Sequence, residues 1–328
     1  MTYTWRVVLR RLIRRLTFLR LRSAIGQKVR IYRRRKIELF IASAHELSVT
    51  LKRSPILNIC PLWNDSHAGF EFLIPAKDSH IDFLNINLKN LAEKYGGGIK
   101  INVLVSEEIA DSVQTPDILS GRVIIVTENL FHEELKELKG YISRFNENRW
   151  NWLKQQCLKT LFVSYSSNPI VILDADTLLV KPINFQPNGK NLLLMGSDLH
   201  SHFHAPYSLH IKRYLGFNPL PINFTQHCQI QEPNYVREIY TKKTVQGLSK
   251  WLESGRIPFE FSPVSEYQTY AEYVRKVYPT KTVMYSHNHH LSYLTKPPIQ
   301  TDYLGLLSVD EHLKGNCQDD CDLVTMLS

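Results

Sequence analysis

Four large apolar residues in a row, Ile170-Val171-Ile172-Leu173, stop abruptly at two carboxylates, Asp174 and Asp176, with only Ala175 between them. A run this short, without the polar alternation of a half-buried strand, reads as a strand covered on both faces. Such a strand needs packed layers above and below it, so helices must lie on each side of a sheet. The two carboxylates then leave the strand end together. The small Ala175 lets the backbone come close to whatever they hold.

The upstream sequence supplies the rest of that sheet. Phe70 to Pro75 reads as a strand, followed by Lys77-Asp78-Ser79-His80. Ile81 to Tyr95 reads as a helix with Phe83, Ile86, Leu88 and Leu91 apolar, stopped by Gly96-Gly97-Gly98. Ile101 to Val105 and Val123 to Val126 are further strands, 149–163 a helix, and Leu192 to Met195 a fifth strand. Strands separated by helices predict an α/β fold with a mostly parallel sheet flanked by helices. Ligands of such sheets bind beyond the carboxyl ends of the strands. Asp78, Glu107, Thr127 and Asp174 all follow strands and belong on that edge. After residue 197 the pattern loosens into short elements rich in His, Tyr, Asn and Pro, which we read as the acceptor side.

The net charge of +9 is unevenly placed. Residues 1–36 hold thirteen Lys or Arg and no acid, so the remainder carries 27 basic and 31 acidic residues. A body of net negative charge is a poor partner for nucleic acid, and no specific nucleic acid is expected, a nucleic-acid arm being the minority reading of the basic segment. Residues 4–22 read as a basic amphipathic helix. Trp5, Val8, Leu9, Leu12, Ile13, Leu16 and Leu19 recur at three- and four-residue steps among arginines. Such a helix suits an anionic membrane surface, where each basic residue contributes about 1 kcal/mol; packing on the domain or on a partner is the alternative use. No run of eighteen apolar residues predicts a spanning helix. Arginines interrupt any signal-peptide core near the N-terminus. The five cysteines, at 60, 157, 228, 317 and 321, contain no CxxC and read as reduced thiols. The expected location is cytoplasmic, peripheral at the inner face of the cell membrane.

Two carboxylates one residue apart at a strand end suit a hard divalent cation, Mn²⁺ or Mg²⁺, bridging a diphosphate. Asp174-Ala175-Asp176 resembles the DxD motif of glycosyltransferases with the GT-A fold, a Rossmann-like sheet. The following Thr177-Leu178-Leu179-Val180-Lys181-Pro182 is similar to the stretch that trails the motif there. The resemblance implies a nucleotide-sugar donor, a glycan or lipid-linked acceptor, and a divalent metal on Asp174 and Asp176. Asp174 would also touch the ribose. It further implies that the Lys77-Asp78 loop meets the nucleotide, and that a His near the C-terminal end completes the metal site. Of His287, His289 and His290, His289 is taken as the candidate.

The helix before the motif presents Trp152, Gln155, Gln156 and Lys159 opposite its apolar face of Trp150, Leu153, Cys157, Leu158, Leu161 and Phe162. Amides and a Lys facing a sugar diphosphate would donate hydrogen bonds and offset charge. Arg149-Trp150 with Gln155-Gln156-x-x-Lys159, and Ser265-Glu266-Tyr267 with Tyr270, are similar to stretches of a little-characterised bacterial family of GT-A-like proteins. By that likeness Glu266 deprotonates or positions the acceptor and Tyr267 contacts substrate. Ser262 and Pro263 read as N-cap and first residue of that helix.

The reading divides the chain into an N-terminal extension (1–45), a GT-A domain (70–300) with donor-side (70–196) and acceptor-side (197–300) halves, and a tail (301–328). Two alternatives stay open. Asp174-Ala175-Asp176-Thr177 also resembles the nucleophile motif of haloacid-dehalogenase-type phosphatases, with Asp174 as nucleophile. A non-catalytic nucleotide-sugar or membrane-surface binding protein is the other.

Overall fold

The computed structural model describes residues 69–142, 150–179, 182–196, 205–220, 224, 227–240, 244–254, 264–287, 290–291 and 306–308. Strand β1 (Glu71–Pro75) leads through a single 3-10 turn at Asp78–His80 into helix α1 (Ile81–Tyr95). Then follow β2 (Ile101–Val105), β3 (Val123–Thr127), α2 (His132–Ile142), α3 (Trp150–Tyr165), β4 (Ile170–Leu173) and β5 (Thr177–Leu179). The second half comprises β6 (Asn191–Gly196), α4 (Ala205–Leu215), β7 (Cys228–Gln231), α5 (Pro233–Ile239), α6 (Thr244–Ser254), α7 (Glu266–Val277), β8 (Thr282–His287), β9 (His290–Leu291) and β10 (Leu306–Ser308).

The central sheet has the order β3-β2-β1-β4-β7. Four strands run parallel, and β7 lies antiparallel against β4. The chain moves outward from β1 to β2 and β3, then returns to the other side of β1 as β4. That reversal is a topological switch point, and it opens a crevice beyond the carboxyl ends of β1 and β4. The α/β sheet expected from sequence is the one observed. The basic N-terminal segment and the 309–328 tail lie outside the described residues.

Alternation along the strands splits the core in two. Phe72, Ile74, Val171 and Leu173 face one layer, with Leu84, Leu88 and Leu91 of α1 and Phe185. Leu73, Ile170 and Ile172 face the other, with Leu153, Leu158 and Leu161 of α3, Trp251 of α6 and Val274 of α7. Each such side chain, fully buried, contributes about 1.5–3 kcal/mol. Gly96 ends α1 at φ 64° and ψ −162°, a region essentially reserved for glycine, where a residue with a Cβ would be strained by about 1–3 kcal/mol. Among the described residues no helix is long and apolar enough to cross a membrane.

Several local expectations change. Leu192–Met195 does form a strand, but β6 pairs in parallel with β8 in a separate two-stranded sheet. The fifth strand of the central sheet is β7. Its sequence, Cys-Gln-Ile-Gln, hides a strand that is buried on both faces, because Gln229 and Gln231 satisfy their amides internally. Gln229 Nε2 donates to the Tyr267 carbonyl at 3.0 Å, and Gln231 Nε2 to Gln229 Oε1 at 3.0 Å. The buried face of α1 runs through Leu84, Asn87, Leu88 and Leu91, leaving Phe83 and Ile86 half-buried. Helix α7 starts at Glu266, and its N-cap is Ser265, whose Oγ accepts the Gln268 N–H at 3.2 Å. Ser262 and Pro263 lie outside the described residues.

Candidate metal centre

The carboxyl ends of β1 and β4 and the amino end of β7 meet at one edge of the sheet, because Cys228 pairs with Leu173 in the antiparallel register. Three potential ligands therefore converge: Asp174 and Asp176 after β4, and His227 immediately before β7. One ligand atom from each lies within 4.8 Å of the others. The Asp174 N–H donates to the His227 carbonyl at 2.9 Å, so the sheet ladder continues one step into the site. A tight turn follows, with the Thr177 N–H donating to the Asp174 carbonyl at 3.0 Å. Ala175 is buried in the first core layer, while Asp174 and Asp176 on either side of it are half-buried.

Beneath Asp174 lies a buried cluster. Lys159 Nζ donates to Asp174 Oδ1 at 2.8 Å, to Glu266 Oε1 at 3.2 Å and to the Tyr267 hydroxyl at 3.2 Å. The Tyr267 hydroxyl donates in turn to Asp174 Oδ1 at 3.0 Å. Gln156, with its amide nitrogen toward Glu266, donates to that carboxylate. Asp174 Oδ1 is thus taken from below by two donors. Its other oxygen, Oδ2, lies 3.5 Å from His227 Nδ1. The cluster fixes which carboxylate oxygen is presented.

The electrostatics divide accordingly. Burial opposes ionisation of Asp174, but Lys159 and His227 outweigh it and hold the carboxyl down, to about 2. Burial would lower Lys159, yet Asp174 and Glu266 keep it raised and charged. Asp176 is raised, first by burial and then by the neighbouring Asp174 charge; His227 and His80 only partly counter this. An ionised Asp176 is therefore short of positive charge, which a divalent cation would supply. Two carboxylates and one imidazole make a donor set that can hold a divalent cation.

The sequence-derived site residues separate into two groups. Gln156, Lys159, Asp174, Glu266 and Tyr267 come together, and Asp176 adjoins them. The expected solvent- or ligand-facing stripe on α3 is not observed: Gln156 and Lys159 are buried at 4% and 2% exposure, Gln155 is half-buried, and Trp152 packs on the second core. The polar residues Gln156 and Lys159 lie on a buried side of α3 while Asn151 and Tyr165 stay exposed, so helical periodicity could not distinguish a ligand face from a buried polar one. Lys159 spends its donors on Asp174, Glu266 and Tyr267 rather than on an open diphosphate site. Glu266 is 2% exposed and bound to Lys159 and Gln156, so it offers no face to an acceptor hydroxyl; it balances the Lys159 charge. Tyr267 is likewise 2% exposed and holds Asp174. Lys77 and Asp78 are exposed just after β1, at the switch-point edge. His289 lies outside the described residues.

Neither His227 nor His80 carries a signal in the sequence that marks it as a neighbour of the two carboxylates. Recognising Cys228–Gln231 as a strand would have exposed His227, since the residue before an antiparallel edge partner of β4 must lie beside Asp174.

No family model and no curated protein matches the chain. Among solved structures, galactosyltransferase LgtC in complex with donor and acceptor sugar analogs is similar over 78% of this chain and 94% of that one, at 14% identity and a TM-score of 0.45. An active-site mutant of LgtC is similar over the same shares at 13% identity, with a TM-score of 0.45. A likeness this distant leaves any assignment to the site's own chemistry.

Proposed function

We propose that the chain is a metal-dependent glycosyltransferase of the GT-A type, moving a sugar from a nucleotide-sugar to a glycan or lipid-linked acceptor. The observation that carries this reading is the convergence of Asp174, Asp176 and His227 at the switch-point edge of a mostly parallel sheet. When bound there, Mn²⁺ or Mg²⁺ would neutralise charge on a departing nucleoside diphosphate.

The chain's own residues have separable tasks in this scheme. Asp174 is held ionised and presents Oδ2, while Lys159 and Tyr267 occupy Oδ1. Asp176 supplies the second carboxylate, and His227 a neutral imidazole nitrogen. Lys77 and Asp78 stand at the crevice mouth, where Asp78 would accept from a ribose hydroxyl. Glu266 and Gln156 keep the Lys159 ammonium fixed, which holds Asp174 through the catalytic cycle. The phosphatase alternative is less well supported, because the motif follows the fourth strand and carries a third, imidazole donor. The basic 4–22 segment would tether the enzyme to an anionic cytoplasmic membrane face, bringing it to a lipid-linked acceptor.

The test is thermal stabilisation of the full chain by nucleoside diphosphates with and without Mn²⁺. Stabilisation that needs the metal and disappears in Asp176→Ala supports the reading. Indifference to every nucleotide, with or without metal, would overturn it. Hydrolysis of a phosphomonoester that is lost in Asp174→Asn would favour the phosphatase instead. Co-sedimentation with anionic vesicles, lost on deleting residues 1–36, checks the tether.

A further inference from the structure

Helix α1 breaks a local rule. Asn is a poor helix former because its amide competes for nearby backbone groups, yet α1 carries Asn85, Asn87 and Asn90 in its interior. Each bonds to backbone outside the helix. Asn85 accepts the Gln114 N–H at 2.8 Å and donates to the Ser112 carbonyl at 3.4 Å. Asn90 accepts the Leu179 N–H at 3.2 Å. Asn87 donates to the Thr177 carbonyl at 2.8 Å and, at the limit of bonding distance, to the Ala175 carbonyl at 3.5 Å.

Ala175 and Thr177 are the two neighbours of Asp176, so one buried amide grips the turn on both sides of that carboxylate. The contact spans about ninety residues of sequence and is purely tertiary. Asn87 is fully buried, and among the described residues its Oδ1 has no hydrogen-bond partner; neither has the buried Oγ1 of Thr177. A buried polar atom left unpaired costs about 1–3 kcal/mol. A Leu there, as at Leu84, Leu88 and Leu91 on the same face, would remove the unpaired oxygen but also the donor to the Thr177 carbonyl, so what the amide secures is the turn.

We infer that Asn87 is a positioning residue of the metal centre, fixing the direction in which Asp176 is presented toward Asp174 and His227. The inference rests on the metal reading proposed above. Asn87 itself touches neither metal nor substrate; it acts through the peptide groups of Ala175 and Thr177. Groups that orient metal ligands in this way typically change metal affinity by about 10–100-fold when removed.

The experiment is Mn²⁺ binding by the full chain, read as the loss of the free-ion electron paramagnetic resonance signal, with a thermal melt of each variant. Asn87→Leu is expected to weaken Mn²⁺ binding by about 10–100-fold. Asn87→Gln, which keeps the carboxamide, should recover part of that loss. Asn90→Leu removes an α1 amide that grips the chain beyond the turn and should leave affinity near the parent value, even if it lowers the melting temperature as much. If Asn87→Leu does not fold, Asn87→Ala removes the same amide without adding bulk and is read the same way. A parent protein that fails to bind Mn²⁺ overturns the metal reading, and this inference with it. A parent that binds while the Asn87 variants bind equally well, or while Asn90→Leu loses as much affinity, overturns this inference alone.

Discussion

The central sheet carries a cluster around a carboxylate at each end, and the two are built to opposite ends. At the amino end of β1, Glu71 accepts from Lys100 Nζ at 3.1 Å, Asn102 Nδ2 at 2.9 Å and Asn168 Nδ2 at 2.9 Å. Burial would raise it, but these three donors together hold Glu71 below its ordinary value of 4.5. Its negative charge is answered by the protein. At the carboxyl end of β4 only Asp174 is so answered, while Asp176 is raised by burial and by Asp174. A carboxylate satisfied by donors is a structural element. One forced beside another charge, with an imidazole within reach, fits the metal site proposed above.

Altering the functional end should bring the largest change. Asp176→Asn removes a ligand and is expected to lower turnover by about 10³-fold, as loss of several kcal/mol of metal-assisted stabilisation requires. It should also raise the melting temperature of the metal-free protein. The sign follows from the raised value: a carboxyl harder to ionise when folded destabilises the fold above its ordinary pKa, and Asn abolishes that penalty. Steady-state kinetics and metal-free melts check both halves. A variant that loses activity and stability together would make Asp176 as structural as Glu71.

Next in size is Lys159→Met, which leaves Glu266 and Asp174 without their shared cation. Removing one partner of a buried pair typically costs about 3–5 kcal/mol, measured as the shift in urea unfolding free energy. Metal affinity should fall as well, since Asp174 Oδ1 loses its anchor. Tyr267→Phe removes the second donor to that oxygen and should produce the milder form, about 1–3 kcal/mol.

The structural end should respond less and in stability alone. Glu71→Ala is expected to cost about 1–3 kcal/mol, because the buried Asn102 amide loses one of its two acceptors, keeping only the Phe72 carbonyl. Mn²⁺ affinity should stay at the parent value. The smallest effect is in pH dependence. Glu71 has a lowered folded value, so its contribution is fully present above 4.5 and is lost as pH falls through that lowered value. Glu71→Gln should therefore lower the melting temperature at pH 7 while converging on the parent in strong acid. Persistence of the whole difference at low pH would show that Glu71 acts by packing.

Much of the fold was legible in the sequence because the signals were local. Ile170–Leu173 is apolar throughout, α1 runs from Ile81 to its Gly stop, and the strand-helix alternation compels a layered sheet. The carboxylates at the end of β4 were legible too, since the strand that carries them is unmistakable. The polar half of the site was only partly so. Gln156, Lys159 and Glu266 are conspicuous in the sequence, but helical spacing points them outward where the structure turns them inward: periodicity reports which face of a helix is apolar, and these polar side chains are buried. Strand β7 escaped because its polar residues find partners inside the core, which no hydropathy pattern records.

What the sequence determined by itself, then, is the sheet, its covered faces and the two carboxylates at its edge, all set by residues within a few positions of one another. What only the tertiary structure decided is the company those carboxylates keep. Lys159 reaches Asp174 and Glu266 across separations of 15 and 107 residues, and Asn87 reaches Thr177 across 90. His227 arrives through an antiparallel strand. The physical reason is that charge and hydrogen-bond complementarity act through space, while hydrophobic periodicity acts along the chain.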